Sequence, residues 1–271
     1  MAQKLRAVRE AGDRRVIVVA GSNAWYSIDA SLMAQRLHRP VVNAAVHFGL
    51  AKAMVERVSD EVRSGDLVLL PLEYEQYQQP DSLGTTEACY LLFDHFRSPS
   101  WSLGWFSAFN SCPLKLERLA PVVRRFSIPQ FREPDLSDVM TPIGDRLHTD
   151  AELASWRGGW KLNVAGAMAE IREPRLEAAI LKMKARGAHV AISFPVQPSE
   201  SVADVRELDV WRKLIEQWAH HQGVQVVSSP QLHLFPDSCF LDTPYHLHSG
   251  CRAQNTERYA AAISAMTLSR P

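Results

Sequence analysis

Net charge is the first thing this chain lacks: thirty Lys and Arg offset thirty Asp and Glu across 271 residues. Composition therefore predicts no basic surface for nucleic acid or an anionic bilayer, and a small or neutral polymeric partner suits it better. Long apolar runs are missing too. No stretch approaches the roughly 18 apolar residues of a membrane span, and the opening MAQKLRAVREAGDRR is polar and charged, without the apolar core of a secretory signal. As it stands the sequence reads as soluble and cytoplasmic, or as periplasmic if it is truncated behind a signal or anchor. Cysteine is scarce, and Cys89, Cys112, Cys239 and Cys251 show neither a CxxC pair nor a metal-ligand spacing. Their even number does not establish disulfides in a chain this long, so the redox compartment stays open. A Gly-rich phosphate loop is absent as well. Only Gly21 follows the first apolar run, which argues against a nucleotide-binding flavodoxin-like protein, and no cofactor is expected.

What is present is a rhythm. Residues 15–21 (RVIVVAG), 40–46 (PVVNAAV) and 66–72 (DLVLLPL) are short continuous apolar runs that predict strands buried on both faces. Helical spacing follows each of the first two, over about 27–38 and 50–63. The later half resumes with a helix across 175–186, a strand at 189–195, a helix across 202–221 and a strand at 224–227. Five such alternations predict a single three-layer α/β/α domain, 1–271, on a five-stranded parallel flavodoxin-like sheet in the common order 2-1-3-4-5. Between about residues 75 and 160 the rhythm breaks into a segment rich in aromatics, among them Tyr90, Phe93, Trp101, Trp105 and Phe131. It is too apolar for a disordered linker, and a largely helical insertion is expected.

In an open parallel sheet, ligands bind beyond the carboxyl ends of the strands. The polar residues there are Ser22 and Asn23 after the first strand, Asn43 and His47 to Gly49 after the second, Glu73 and Glu75 after the third, and Asp237 to Gly250 after the fifth. A serine hydroxyl becomes a nucleophile only when a base takes its proton and a carboxylate orients that base. Ser22 sits on a strand-to-helix turn, and the base would come from the segment LDTPYHLHSG. Backbone N–H groups of Ser22 and Gly49 would serve as oxyanion donors.

In AGSNAWYSIDA, VVNAAVHFGL, DLVLLPLEYEQY and FLDTPYHLHSGCRAQNTERYA the chain resembles the SGNH/GDSL hydrolase superfamily, most of all the SGNH-like proteins of bacterial exopolysaccharide and cell-envelope acetylation loci. The resemblance implies Ser22 as nucleophile, His246 as general base, Asp242 as its orienting carboxylate and Gly49 as an oxyanion donor. It further implies an O-acetylesterase or O-acetyltransferase acting on an acetylated carbohydrate or cell-envelope polysaccharide, with other polysaccharide-modification proteins as candidate partners. Three departures stand out. Gly-Asp-Ser is replaced by Ala20-Gly21-Ser22, the third-block Asn is missing where Glu73 and Glu75 stand, and Asp242 precedes His246 by four residues rather than three. A catalytically idle binding or scaffold protein of the same fold is the rival reading.

Each residue also has a plainer role. Ser22 on its own reads as a helix cap, as do Asn23 and Ser27. Asp29 fits the first turn of a helix. His246, His248 and His47 read as ordinary histidines, and no carboxylate or Cys completes a metal set with them. Asn43 fits a strand-end residue bonding backbone near the nucleophile. Asn23, Trp25, Asn43, His47, Glu73 and His248 are the candidates for contact with substrate, with Trp25 and Tyr26 expected to line the cleft.

Overall fold

Every expected apolar run forms a strand. The computed structural model describes residues 1–77, 140–147, 156, 158, 170–200 and 205–268. Its strands are β1 (Val16–Val18), β2 (Val41–Asn43), β3 (Leu67–Leu70), β4 (His189–Ile192), the two-residue β5 (Gln197–Pro198), β6 (Gln225–Val226) and the two-residue β7 (Leu234–Phe235). Five of them make one parallel sheet in the order β2-β1-β3-β4-β6, the expected arrangement with β6 as the fifth strand. β5 and β7, which the sequence reading did not anticipate, pair separately. Residues of β1, β2 and β3 are all buried, as the unbroken Val and Leu runs require when helices cover both faces.

The helices are α1 (Ala2–Glu10), α2 (Ser22–Ser27), α3 (Ala30–Leu37), α4 (Ala51–Ser59), α5 (Pro174–Ala185), α6 (Val205–His221) and α7 (Ser249–Leu268). α7 packs on α2 and α3, while α4 packs on α1 and α5, and Trp218 of α6 donates its indole N–H to Glu177 of α5 at 3.0 Å. The result is an α/β fold with a helical layer on each side of the sheet. The chain divides into two units, 1–79 with 139–271, and 80–138. The second unit, and with it most of the aromatic segment expected as an insertion over 75–160, lies outside the described residues.

The helix expected from about Ser27 starts earlier and is split. α2 ends at Ser27, Ile28 is extended, and Asp29 caps α3 by accepting the Leu32 N–H at 2.9 Å. That break is held by buried polar groups from three distant parts of the chain. Asn43 Nδ2 donates to the Ala24 and Ile28 carbonyls and to Asp145, and Asp145 accepts the N–H groups of Ala30 and Ser31. From α7, Arg252 donates to the Ile28 carbonyl at 3.0 Å and pairs with Asp145 at 3.3 Å, Asn255 donates to the Ser27 carbonyl, and Thr256 accepts the Asp29 N–H. Burial raises the Asp145 pKa, with Arg252 and the Ala30 N–H opposing. Lys4 of α1, also buried, donates to the carbonyls of Asn43 and Gly144, and burial pushes its pKa well down against the pull of Asp145. Gly144 has φ +91°, and a Cβ there would stand 2.1 Å from the Asn43 carbonyl oxygen, so only glycine fits.

At the opposite rim of the sheet Arg15 and Asp66 form an ion pair with both side chains fully buried. Arg15 also donates to the carbonyls of Val8 and Glu61, which ties α1 and the end of α4 to the first strand. His233 is likewise buried, bonded to Asn255 Oδ1 and Ser228 Oγ at 2.9 Å each and stacked on Tyr259 at 4.3 Å. Burial lowers its pKa from 6.5 to about 4.

Two stability predictions follow from these buried groups. Asp145→Ala strands the Arg252 charge and several buried N–H donors, so urea denaturation is expected to show a loss of about 3–5 kcal/mol; a loss under 1 kcal/mol would show that the cluster does not hold the α2–α3 break. For His233 the folded-state pKa lies below the unfolded one. Its stabilising share is therefore complete above pH 6.5 and is lost as pH falls toward 4, by roughly 3 kcal/mol. Unfolding free energies of the native protein and of His233→Gln, measured at pH 7 and pH 4, should differ in their pH dependence by about that amount.

Candidate active site

The parallel register aligns the ends of β1, β2, β3 and β4, so the loops that follow them gather at one rim. Ser22 is the first residue of α2, directly after Gly21 as its cap. Gly21 is extended, and space rather than φ requires glycine there. A Cβ would stand 2.5 Å from Glu73 Oε1 and 3.2 Å from Phe48 Cα.

The partners of Ser22 arrive from 224 positions away. His246 Nε2 lies 2.9 Å from Ser22 Oγ, and His246 Nδ1 lies 2.7 Å from Asp242 Oδ1. With the imidazole proton on Nδ1, the Ser22 hydroxyl donates to Nε2 while Nδ1–H donates to the carboxylate. The four-residue spacing from Asp242 to His246 is taken up by a short turn. Leu241 N–H donates to the His246 carbonyl, Phe240 and Leu247 form an antiparallel bridge, and Tyr245 N–H reaches Thr243 Oγ1. A disulfide between Cys239 and Cys251 closes this segment on both sides of the pair. The cysteine pattern left that bond open; Cys89 and Cys112 lie outside the described residues. His246 is nearly buried, whereas the Asp242 side chain is 45% exposed.

Tyr26, expected to line the cleft, stacks on the His246 ring with centroids 3.8 Å apart and planes 8° apart. The Arg146 guanidinium lies over the same Tyr26 ring at 4.3 Å. The stack fixes the plane of the imidazole from one side while Asp242 fixes its rotation.

The other candidates separate. Asn23 is buried, its Nδ2 donating to the Pro71 carbonyl at 2.7 Å and its N–H to Glu73 Oε1 at 3.2 Å. Asn43 braces the backbone under α2, the strand-end role the sequence allowed it. Trp25 faces inward, between Lys4 Nζ and the Arg146 guanidinium at 4.8 and 5.2 Å from its ring centroid. His47 is exposed, and its Nδ1 accepts the Gly49 N–H at 3.2 Å, so that N–H would have to leave His47 to serve an oxyanion. Glu73 is buried against Gly21, whereas Glu75 accepts from the Tyr245 hydroxyl at 2.9 Å. His248 lies at the disulfide, with Nε2 3.4 Å from Cys251 Sγ. Cys239, His248 and Cys251 bring their ligand atoms within 4.8 Å of one another. With the two sulfurs bonded together, the imidazole is the one ligand left there. Sequence reasoning missed Asp145, Arg146 and Arg252, whose partners are too distant in the chain for any spacing signal.

A cavity of 610 Å³ lined by Lys184, His189, Val190, Gln225 and Met266 opens at the amino-terminal ends of β4 and β6 and contains none of these groups. No helix among the described residues is long and apolar enough to cross a membrane.

No protein-family model matches this chain, and no curated protein matches it. Among solved structures, the chain is similar to one described as a lipolytic protein of the G-D-S-L family from Desulfitobacterium hafniense DCB-2, at 9% identity and a TM-score of 0.43, over 92% of this chain and 99% of the other.

If Ser22, His246 and Asp242 act on an ester and the stack positions the imidazole, Tyr26→Leu should lower kcat for its hydrolysis about tenfold with KM little changed. A raised KM with kcat intact would instead place Tyr26 in contact with substrate.

Proposed function

We propose that this chain is a serine acyl-transfer enzyme. The observation that carries the reading is the hydrogen-bonded row from Ser22 Oγ through His246 to Asp242 at the carboxyl rim of the sheet. Ser22 attacks an ester carbonyl while His246 Nε2 takes the hydroxyl proton, and Asp242 stabilises the imidazolium. Collapse of the tetrahedral intermediate returns that proton to the departing alkoxide and leaves an acyl-Ser22. Water or an alcohol, activated by His246 in turn, then accepts the acyl group. The Ser22 N–H, at the opening of α2, is a candidate donor to the oxyanion.

The finer reading is an O-acetylesterase or O-acetyltransferase acting on an acetylated carbohydrate or cell-envelope polysaccharide. Its support is the resemblance of the four sequence blocks to SGNH-like proteins of acetylation loci. The rival reading, an idle binding or scaffold protein, draws on the Gly49 N–H being engaged by His47.

Hydrolysis of 4-nitrophenyl acetate and labelling by a fluorophosphonate separate the two readings. The native protein should turn over the ester and label on Ser22, Ser22→Ala should do neither, and Asp242→Asn should slow turnover by about 10³ to 10⁴-fold. A folded native protein that neither labels nor hydrolyses the ester would favour the scaffold.

A further inference from the structure

The row of Ser22, His246 and Asp242 leaves one buried acid unexplained. Glu73 is 3% exposed, yet among the described residues no Lys or Arg pairs with it. Its carboxyl lies against the backbone on both sides of the nucleophile. Oε1 accepts the N–H of Asn23, the residue after Ser22, and crowds the site where Gly21, the residue before Ser22, would carry a side chain. The other oxygen, Oε2, has no hydrogen-bond partner among the described residues. The nearby N–H that could have served an oxyanion, that of Gly49, is engaged by His47.

We infer, resting on the serine acyl-transfer reading, that Glu73 is an oxyanion donor: its neutral carboxyl donates the Oε2–H to the ester oxygen that gains charge when Ser22 attacks. Asn23 N–H on Oε1 orients the group for that task. No proton changes hands at Glu73; the Ser22 proton goes to His246 as before, and the carboxyl proton stays on Oε2 through the step.

The charge state agrees with the geometry. Burial pushes the Glu73 pKa up to about 8, Glu75 adds to the rise, and the Asn23 N–H opposes it. Among the described residues, the elements around Glu73 supply no Lys or Arg to compensate it. The opening of α2 carries no ionisable group beyond the Ser22 hydroxyl, and the loop after β2 brings His47. The turn after β3 brings Tyr74, Glu75 and Tyr77, and the 242–246 segment brings Asp242, Tyr245 and His246. Tyr245 is held in its phenol form by burial and by the two glutamates, and it donates to Glu75. A carboxylic acid kept neutral in an apolar setting so that it can donate a hydrogen bond is established chemistry in other enzymes.

The expected behaviour has a definite sign. As pH rises through about 8, Glu73 ionises, the donor becomes a repelling charge, and kcat/KM falls. Glu73→Gln keeps an N–H donor at every pH; it should retain activity within about tenfold at pH 7 and lose the alkaline decline. Glu73→Ala should lose about 10² to 10³-fold. Carboxyl NMR on the native protein supplies a readout that needs no variant to fold. Glu73 should titrate well above the ordinary 4.5, and higher still once a fluorophosphonate places a phosphoryl oxygen beside Ser22. An active native enzyme in which Glu73→Gln is as slow as Glu73→Ala, or keeps the alkaline decline, or in which Glu73 titrates near 4.5, overturns the Glu73 role alone. A native protein that neither hydrolyses ester nor labels overturns the serine reading and the Glu73 role together.

Discussion

The placement of Ser22 hangs on a buried carboxylate that never touches it. Asp145 binds the first N–H groups of α3, receives Asn43 from the end of β2 and pairs with Arg252 of α7. Those contacts fix where α2 stops, and α2 is only six residues long, so its stop also fixes its start at Ser22. Buried charge is costly to hold, and the cost is offset only when every partner is present. Asp145 meets that condition with two backbone donors, an amide and a guanidinium. The arrangement joins three remote stretches of chain in one place, and a local error in any of them would be felt at the serine.

The partner loop is built by other means. Nothing in it is regular helix or sheet beyond a single bridge, so its shape comes from a tight turn, a disulfide and the ring of Tyr26 beneath the imidazole. Closing a loop of 12 residues removes about 3 kcal/mol of freedom from the unfolded chain. One half of the proposed site is thus positioned by the sheet and the polar cluster, the other by covalent closure and stacking. In the proposed reaction the half-exposed Asp242 would leave solvent to share the charge formed on His246.

The sheet was legible in the sequence because strands buried on both faces must be written as unbroken apolar runs, and β1, β2 and β3 are. The rule that ligands meet the carboxyl ends of such strands then singled out Ser22, and the family resemblance singled out Asp242 and His246. α1 was hidden because its buried face includes Lys4, and a buried lysine looks like surface in a sequence. The break at Ile28, the Asp145 cluster and the disulfide depend on residues more than ten positions apart, for which no local period exists. For Trp25, His47 and His248 the sequence supplied a place along the chain but not the neighbours each side chain meets. A residue's place along a strand end is set by backbone, whereas the way its side chain turns is set by neighbours such as Arg146 and Cys251.

The separation of 224 positions between Ser22 and His246 also bears on how the protein comes into being. At ribosomal speeds of about 5–20 residues per second, Ser22 is made roughly 10 to 45 s before His246. Through that interval the nascent chain holds the Ser22 hydroxyl without the imidazole it bonds in the fold, so the proposed chemistry would have to wait for the last stretch of polypeptide. A nascent chain stalled before Asp242 would carry every strand of the five-stranded sheet and neither of the two partners of Ser22.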